Sequence, residues 1–111
     1  MLNKHKIFAA DDMRYTEVDM TAEWGDKLRI KTMSIEEQLQ YEKIKETENA
    51  GDIVLQMVLV CCVDQDGKRL FENDDVKELQ KKSTAAVFKV FNACIELNSL
   101  PKDDLEQKAK N

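Results

Sequence analysis

The chain has 111 residues, of which 42% are hydrophobic and 6% aromatic, so it can bury one modest aliphatic core and is too short for two domains. Its 17 basic and 22 acidic side chains give a net charge of -5 at pH 7, and because phosphates repel an acidic surface, we expect no nucleic-acid binding. The longest apolar run, 53–63, falls well short of the roughly 20 residues of a membrane-spanning helix, so we expect no membrane role.

The cysteine pattern and the N-terminal segment predict a cytoplasmic protein. Cys61, Cys62 and Cys94 are odd in number, and two of them are adjacent within an apolar run, which does not fit a secreted disulfide framework. The apolar stretch 7–10 is too short for the hydrophobic region of a signal peptide. We therefore expect a reducing compartment.

The N-terminal third is predicted to form a short helix followed by a β-hairpin. Residues 1–12 contain the helix, which two aspartates close. Residues 14–32 contain two runs that alternate with a period of two on either side of a turn with Gly25, the pattern of a hairpin. The outward side chains of one run are acidic and those of the other basic, which predicts favourable pairs across the strands.

Residues 34–100 are predicted to form a helical core, which begins with a helix on the surface. Ser34 and Glu37 have the spacing of a capping box. The helix that follows offers only a thin apolar stripe, so we expect it to lie on the surface; the stripe consists of Ile35, Leu39 and Ile44.

The apolar run 53–63 fits a buried helix or a central strand, since periodicity does not distinguish the two in so apolar a segment. Its length and the preceding break favour a helix, with Asp52 as the N-cap. A turn at 64–67 follows, and residues 73–75 are predicted to cap another helix.

The last long helix is predicted to begin at Ser83 and to end before Pro101, and residues 101–111 are predicted to be a fraying tail. Its apolar residues recur at three and four positions and form a wide inward face: Val87, Val90, Phe91, Cys94 and Leu97. Together these elements predict a single domain over residues 1–111. Its predicted class is mainly α with a small N-terminal β-hairpin (α+β), a compact helical domain.

No group of reactive side chains suggests catalysis, so we expect a protein that is not an enzyme and that has no cofactor or metal. His5 is the only histidine and has no partner motif for zinc or acid–base chemistry. An EF-hand around the turn at 64–67 would need oxygen ligands at positions that hold Cys62 and Asn73. Buried cysteines behave as small hydrophobic residues, which we favour over a redox role.

Four large apolar residues form the candidate surface for a partner or for self-association: Trp24, Phe71, Phe88 and Ile95. Trp24, at the tip of the hairpin, either folds onto the core, which we favour, or stands out as a binding anchor. Phe88 and Ile95 are seven residues apart on the last long helix, off its main apolar face. Either that helix is buried on two sides or these residues form an interface.

Several segments, in this order and spacing, resemble the tail assembly chaperones of siphophages and their prophages. Two motifs are the most specific, Asp66-Gly67-Lys68-Arg69-Leu70-Phe71 and Leu97-Asn98-Ser99-Leu100. The others are Ala9-Ala10-Asp11-Asp12, Glu23-Trp24-Gly25, Asn73-Asp74-Asp75-Val76-Lys77-Glu78-Leu79 and Lys82-Ser83-Thr84-Ala85-Ala86-Val87. The pair Cys61 and Cys62 departs from the pattern.

This resemblance implies a protein of the bacterial host cytoplasm without catalytic residues. Such chaperones bind the tape measure protein and keep it soluble until the tail tube polymerises around it. Many have a longer form, made by ribosomal frameshifting, that recruits tail tube protein, and many form homo-oligomers. Two other classes remain as alternatives: a small acidic cytoplasmic regulator and a cysteine-dependent redox protein.

Overall fold

The computed structural model describes residues 1–47 and 49–99, so the predicted tail at 101–111 lies outside the described residues. From the N-terminus the elements are α1 (Lys4–Ala9), β1 (Tyr15–Met20), α2 (Thr21–Trp24), β2 (Asp26–Lys31), α3 (Ile35–Thr47), α4 (Ala50–Cys61), β3 (Cys62–Val63), a 3₁₀ turn (Asn73–Asp75), α5 (Val76–Leu79) and α6 (Thr84–Asn98).

The hairpin of β1 and β2 has the predicted alternation. Its antiparallel register places Glu17 opposite Arg29 and Asp19 opposite Lys27, so acidic and basic side chains do face one another across the strands. On the other face of the hairpin the apolar side chains are buried. The connection is longer than a tight turn because α2 forms one helical turn, which Gly25 ends with a φ of 91°, a conformation that glycine adopts without strain.

The predicted fold class is wrong in one respect: the sheet has three strands and forms one side of the core. β3 pairs antiparallel with β2, with Ile30 opposite Cys62, and the strand order is β1-β2-β3. The apolar run leaves its helix after Cys61 and continues as extended chain that pairs with β2, and an isolated antiparallel bridge then joins Val63 to Arg69. The hairpin near the N-terminus is therefore part of a sheet that helices cover, and not an addition to a helical domain.

The core lies between this sheet and the two apolar helices, α4 and α6. α6 contacts both β1 and β2, and α4 packs against α6. The side chains that are almost wholly buried come from all of these elements: Met20, Ile30, Met57, Val58, Cys61, Cys62, Val63, Val90 and Cys94. The run 53–63 is thus a buried helix up to Cys61, as predicted, and a strand in its last two residues.

Short polar side chains begin four of the described helices, α1, α3, α4 and α6. Ser34 and Glu37 form the predicted capping box: Glu37 N–H donates to Ser34 Oγ at 3.1 Å, and Ser34 N–H donates to Glu37 Oε1 at 2.9 Å. Ser83 caps α6 as predicted. The cap of α4 is Asn49 and not Asp52, since Asn49 Oδ1 accepts from the Asp52 N–H at 2.9 Å. The 3₁₀ turn is likewise capped one residue before the predicted stretch, by Glu72.

Two of the three residues of the apolar stripe of α3, Ile35 and Leu39, point away from the core, and the third, Ile44, is half-buried. Ile35 and Leu39 are 82% and 63% exposed, and Tyr41 is the buried residue of this helix. The reason is electrostatic: Glu37 binds Lys31 of β2 at 2.6 Å and Arg69 at 3.2 Å, so the polar side of α3 is turned towards the sheet. α3 lies on the surface, as predicted, with a different face inward.

No helix in the described part of the chain is long and apolar enough to cross a lipid bilayer.

Candidate protein-binding surface

α6 exposes two of the four predicted surface residues. Its inward positions pack into the core, with Val90 and Cys94 wholly buried. Phe88 and Ile95 are 40% and 37% exposed. The Phe88 ring meets Phe91 edge to face, with 6.1 Å between the ring centroids. Because Phe91 itself packs against the core, this contact limits the freedom of Phe88, and a pre-ordered aromatic side chain loses less entropy when it binds.

A shallow groove of about 200 Å³ lies beside Phe88, between α4, α5 and α6. Its apolar walls come from all three helices: Val54, Leu55, Leu79, Val87 and Phe88. Lys82 stands at the edge. A groove of this kind accepts one or two apolar side chains from an amphipathic helix, so it is a candidate binding site for a helical segment.

Trp24 lies near the same end of α6. Lys89 Nζ donates to the Asp19 carbonyl at 2.7 Å and to the Glu23 carboxylate at 2.9 Å. This hydrogen bond from Lys89 lowers the pKa of Glu23 below its ordinary value. This pair joins Glu23, next to Trp24 in the sequence, to Lys89, next to Phe88. Trp24 itself is 37% exposed, and its neighbour Glu23 is the residue that contacts α6.

Phe71, the fourth predicted residue, is partly buried and packs against the core. The chain around it is held in place, since the Leu70 N–H donates to the Cys62 carbonyl at 3.0 Å. We therefore define the α6 surface as Phe88 with the groove beside it, and Ile95 two turns further along α6. Leu55 was not predicted as a member, because an apolar run does not reveal which of its residues borders a groove.

The two most specific motifs of the sequence have structural roles. In the first, Gly67 has a φ of 82°, and a Cβ there would lie 3.2 Å from Tyr15 Oη. In the second, Asn98 Oδ1 accepts from the Met33 N–H at 2.7 Å, and the Leu97 carbonyl accepts from Arg14 at 2.8 Å. These bonds join the C-terminal end of α6 to the two ends of the hairpin, so Gly67, Leu97 and Asn98 contribute to the fold.

The three cysteines are free and buried. A hydrogen bond with Cys94, together with burial, raises the pKa of Cys61 well above its ordinary value. For Cys94, a hydrogen bond with Cys61 acts to lower the pKa, but a bond with Cys62 and burial outweigh it and raise the pKa to about 12. Since the thiolate is the reactive form, this environment opposes redox chemistry.

We expect the thiols to be inert in the folded protein. Incubation with a chromogenic disulfide reagent at neutral pH should modify none of the three cysteines, and addition of urea should release all three. The physical reason is the burial of all three thiols, together with the raised pKa values of Cys61 and Cys94. Fast modification of one thiol without denaturant, at the rate of a free cysteine, would contradict this and favour the redox alternative.

The described residues do not bring together three or more His, Cys, Asp or Glu side chains in an arrangement that holds a metal ion. His5 is exposed on α1. The carboxylate of Asp64 is used inside its own turn, where Oδ1 accepts the N–H groups of Asp66 and Lys68 at 2.8 and 3.0 Å. Residues 64–67 therefore form the predicted turn, which the Asp64 side chain stabilises.

Comparison with known proteins gives a likeness of fold. No protein-family model matches the sequence, and no curated protein matches it. Among solved structures, the tail assembly chaperone of bacteriophage HK97 is similar, with a TM-score of 0.65 at 14% sequence identity over 88% of this chain and 95% of that one. The chain thus has the fold of a phage tail assembly chaperone, and the resemblance inferred from its motifs is confirmed at the level of the fold.

Proposed function

We propose that this chain is a phage tail assembly chaperone that binds the tape measure protein and keeps it soluble during tail assembly. The observation that carries the proposal is the fold likeness to the HK97 chaperone, which extends over nearly the whole of both chains. The order of motifs in the sequence supports the same assignment independently of the fold.

The α6 surface is the site that we assign to the client. Helical segments of a tape measure protein expose apolar faces before assembly, and Phe88 with its groove offers apolar walls from three helices. An amphipathic helix docks in such a groove through residues spaced by three and four positions. Phe88 and Ile95 repeat after two helical turns, about 10 Å along the axis, which suits contact with successive turns of a client helix.

The charge of the chain fits a solubilising role. A net charge of -5 keeps a complex dispersed by repulsion between its copies. Within this proposal the protein acts in the host cytoplasm by binding alone and catalyses no reaction. A longer, frameshifted form that also binds tail tube protein belongs to the same proposal.

Co-expression with the tape measure protein of the same phage tests the function. We expect the chain to move that protein from the insoluble to the soluble fraction, and the two to co-purify. The substitution Phe88→Asp should weaken the complex at least about 30-fold, the loss expected when a central anchor of an interface is removed. The affinity of the co-purified pair, measured by calorimetry, gives the comparison.

Leu70→Asp is the matched control. Leu70 is 44% exposed, close to the 40% of Phe88, and it lies outside the α6 surface. It should leave both solubility and affinity unchanged, and circular dichroism should show that both variants fold. A tape measure protein that stays insoluble beside the unaltered chain would refute the function. Equal losses from the two substitutions would refute the assignment of the α6 surface.

A further inference from the structure

The N-terminal arm, residues 1–10, exposes apolar side chains that the other described residues, 11–47 and 49–99, leave uncovered. Asn3 caps α1, with Oδ1 accepting from the Lys6 N–H at 3.0 Å, and α1 has no buried residue. Leu2, Ile7 and Phe8 are 68%, 50% and 80% exposed. A surface helix normally buries its apolar face, so the arm has the properties of a segment that packs against a partner.

A second uncovered apolar surface lies on α3. Ile35 and Leu39 are its two most exposed large residues, and Glu42 and Glu46 follow at helical spacing on the same side. We call these four residues the α3 face. The charged side chains on and beside this face are mainly acidic, with three glutamates to one lysine: Glu36, Glu42, Glu46 and Lys43.

The arm and the α3 face are complementary in both polarity and order. The arm has two lysines and no acidic residue, and Lys4 lies one turn before Ile7 and Phe8 on α1. On α3 the apolar pair comes first and the acids follow. If the two helices run antiparallel, Phe8 meets Leu39 and Lys4 reaches the glutamates. The distance from Phe8 to Lys4 along the axis is about 6 Å at 1.5 Å per residue, which lies between the step from Leu39 to Glu42, about 4.5 Å, and the step from Leu39 to Glu46, about 10.5 Å.

The arm does not occupy the α3 face of its own chain. Its connection to β1 is anchored, because Tyr15 Oη donates to Asp11 Oδ2 at 2.8 Å and the Met13 N–H donates to Asp11 Oδ1 at 3.1 Å. In this arrangement Phe8 and Ile35 both remain at least four-fifths exposed. A second copy can supply the contact that the described part of one chain does not make.

The position of the arm favours a reciprocal contact. We call residues 11–14, which join the arm to β1, the base of the arm. Arg14 is bonded to the segment just before α3, since the Thr32 N–H donates to the Arg14 carbonyl at 2.9 Å. The base of the arm and the first turn of α3 are therefore neighbours. When the arm of one copy runs antiparallel along the α3 face of another, the two bases come together, and the second arm meets the first copy in the same way. Such self-complementary contacts close into a two-fold dimer.

We propose that two copies of this chain associate by exchanging their N-terminal arms, each arm packing antiparallel on the α3 face of the other copy. This contact is separate from the α6 surface and does not depend on the proposed function. It combines apolar burial with opposite charges, so the dimer should weaken as salt is added.

Sedimentation of the full chain over a range of concentrations tests the proposal. We expect a dimer that dissociates on dilution. Phe8→Glu places an acid against the acidic face and should weaken association at least about tenfold. Because α1 has no buried residue, this variant should keep its circular dichroism and its unfolding midpoint at dilutions where both proteins are monomeric. Phe88→Asp, on the α6 surface, is the control that should leave the dimer intact.

Charge reversal is the decisive part of the experiment. The pair Lys4→Glu and Lys6→Glu should weaken the dimer, and so should the pair Glu42→Lys and Glu46→Lys. The chain with all four changes should recover most of the association, because both contacts again join opposite charges. A monomer at every concentration, a dimer insensitive to the arm variants, or a fourfold variant that remains as weak as the double variants would overturn the proposal.

Discussion

Replacing Ile30 by alanine should destabilise the protein by about 2–5 kcal/mol, the usual cost of a cavity at a wholly buried Ile or Leu. Ile30 has no exposed surface and belongs to β2, the central strand, with β1 on one side and β3 on the other. Since stabilities of small domains are about 5–15 kcal/mol, this is a large fraction of the total. Urea unfolding, followed by circular dichroism, measures the change.

Ile35→Ala is the matched control for this substitution. The residue type and the atoms removed are the same, but Ile35 is 82% exposed, so the change should stay within about 0.5 kcal/mol. Both variants should be measured at low protein concentration, where association makes no contribution to the free energy of unfolding. Equal effects at the two positions would show that β2 is peripheral and that the sheet is not part of the core.

Replacing Glu37 by glutamine should cost about 1.5–3 kcal/mol at neutral pH, the range for hydrogen bonds to charged groups. The Glu37 side chain is 17% exposed and binds Lys31, itself 11% exposed, and Arg69. Glutamine can still accept the Ser34 N–H, but it leaves the Lys31 ammonium half-buried without a counter-charge, which is costly. Glu42→Gln is the control: Glu42 is 52% exposed, and its pair with Lys45 at 3.8 Å is worth little.

The effect of Glu37 should also depend on pH. Partial burial acts to raise the pKa of Glu37, but the bonds from Lys31 and Ser34 outweigh it, and the pKa falls below its ordinary value of 4.5. A carboxyl with a lowered pKa in the folded state stabilises fully above its unfolded pKa and loses that stabilisation as the pH falls through the folded value. The difference between the native chain and Glu37→Gln should therefore shrink below about pH 4.5. If the difference in the free energy of unfolding stays constant down to about pH 3, the effect of Glu37 comes from packing and not from its charge.

The features that sequence alone predicted correctly depend on contacts between near neighbours. The hairpin follows from alternation in β1 and β2, and the capping box at Ser34 and Glu37 spans a single helical turn. The buried face of α6 follows from its helical spacing. In each case the relevant partners lie within a few residues or directly across a hairpin, so the pattern itself contains the interaction.

The errors come from contacts between distant segments. In the sequence, the last two residues of the run 53–63 look like the helical residues before them. They form β3 because Cys62 and Val63 pair with Ile30 and Arg29 along the edge of β2 that β1 does not occupy. Likewise, the stripe of Ile35, Leu39 and Ile44 predicted only that α3 lies on the surface. Which side faces the sheet depends on distant residues, since Lys31 and Arg69 bind Glu37. Contacts between distant segments also separate the predicted surface residues: Phe71 packs against the core, whereas Phe88 lines a groove.

The sequence by itself determined that this chain forms helices at 4–9 and 84–98 and a hairpin at 15–31, and its motifs resembled the family whose fold it has. Only the tertiary structure decided that the hairpin becomes a three-stranded sheet and that Ile35 and Leu39 face outward. The physical reason is that secondary structure follows from periodicity and capping within a few residues. The direction in which a helix faces is set by the charges and apolar surfaces that the folded chain brings to it.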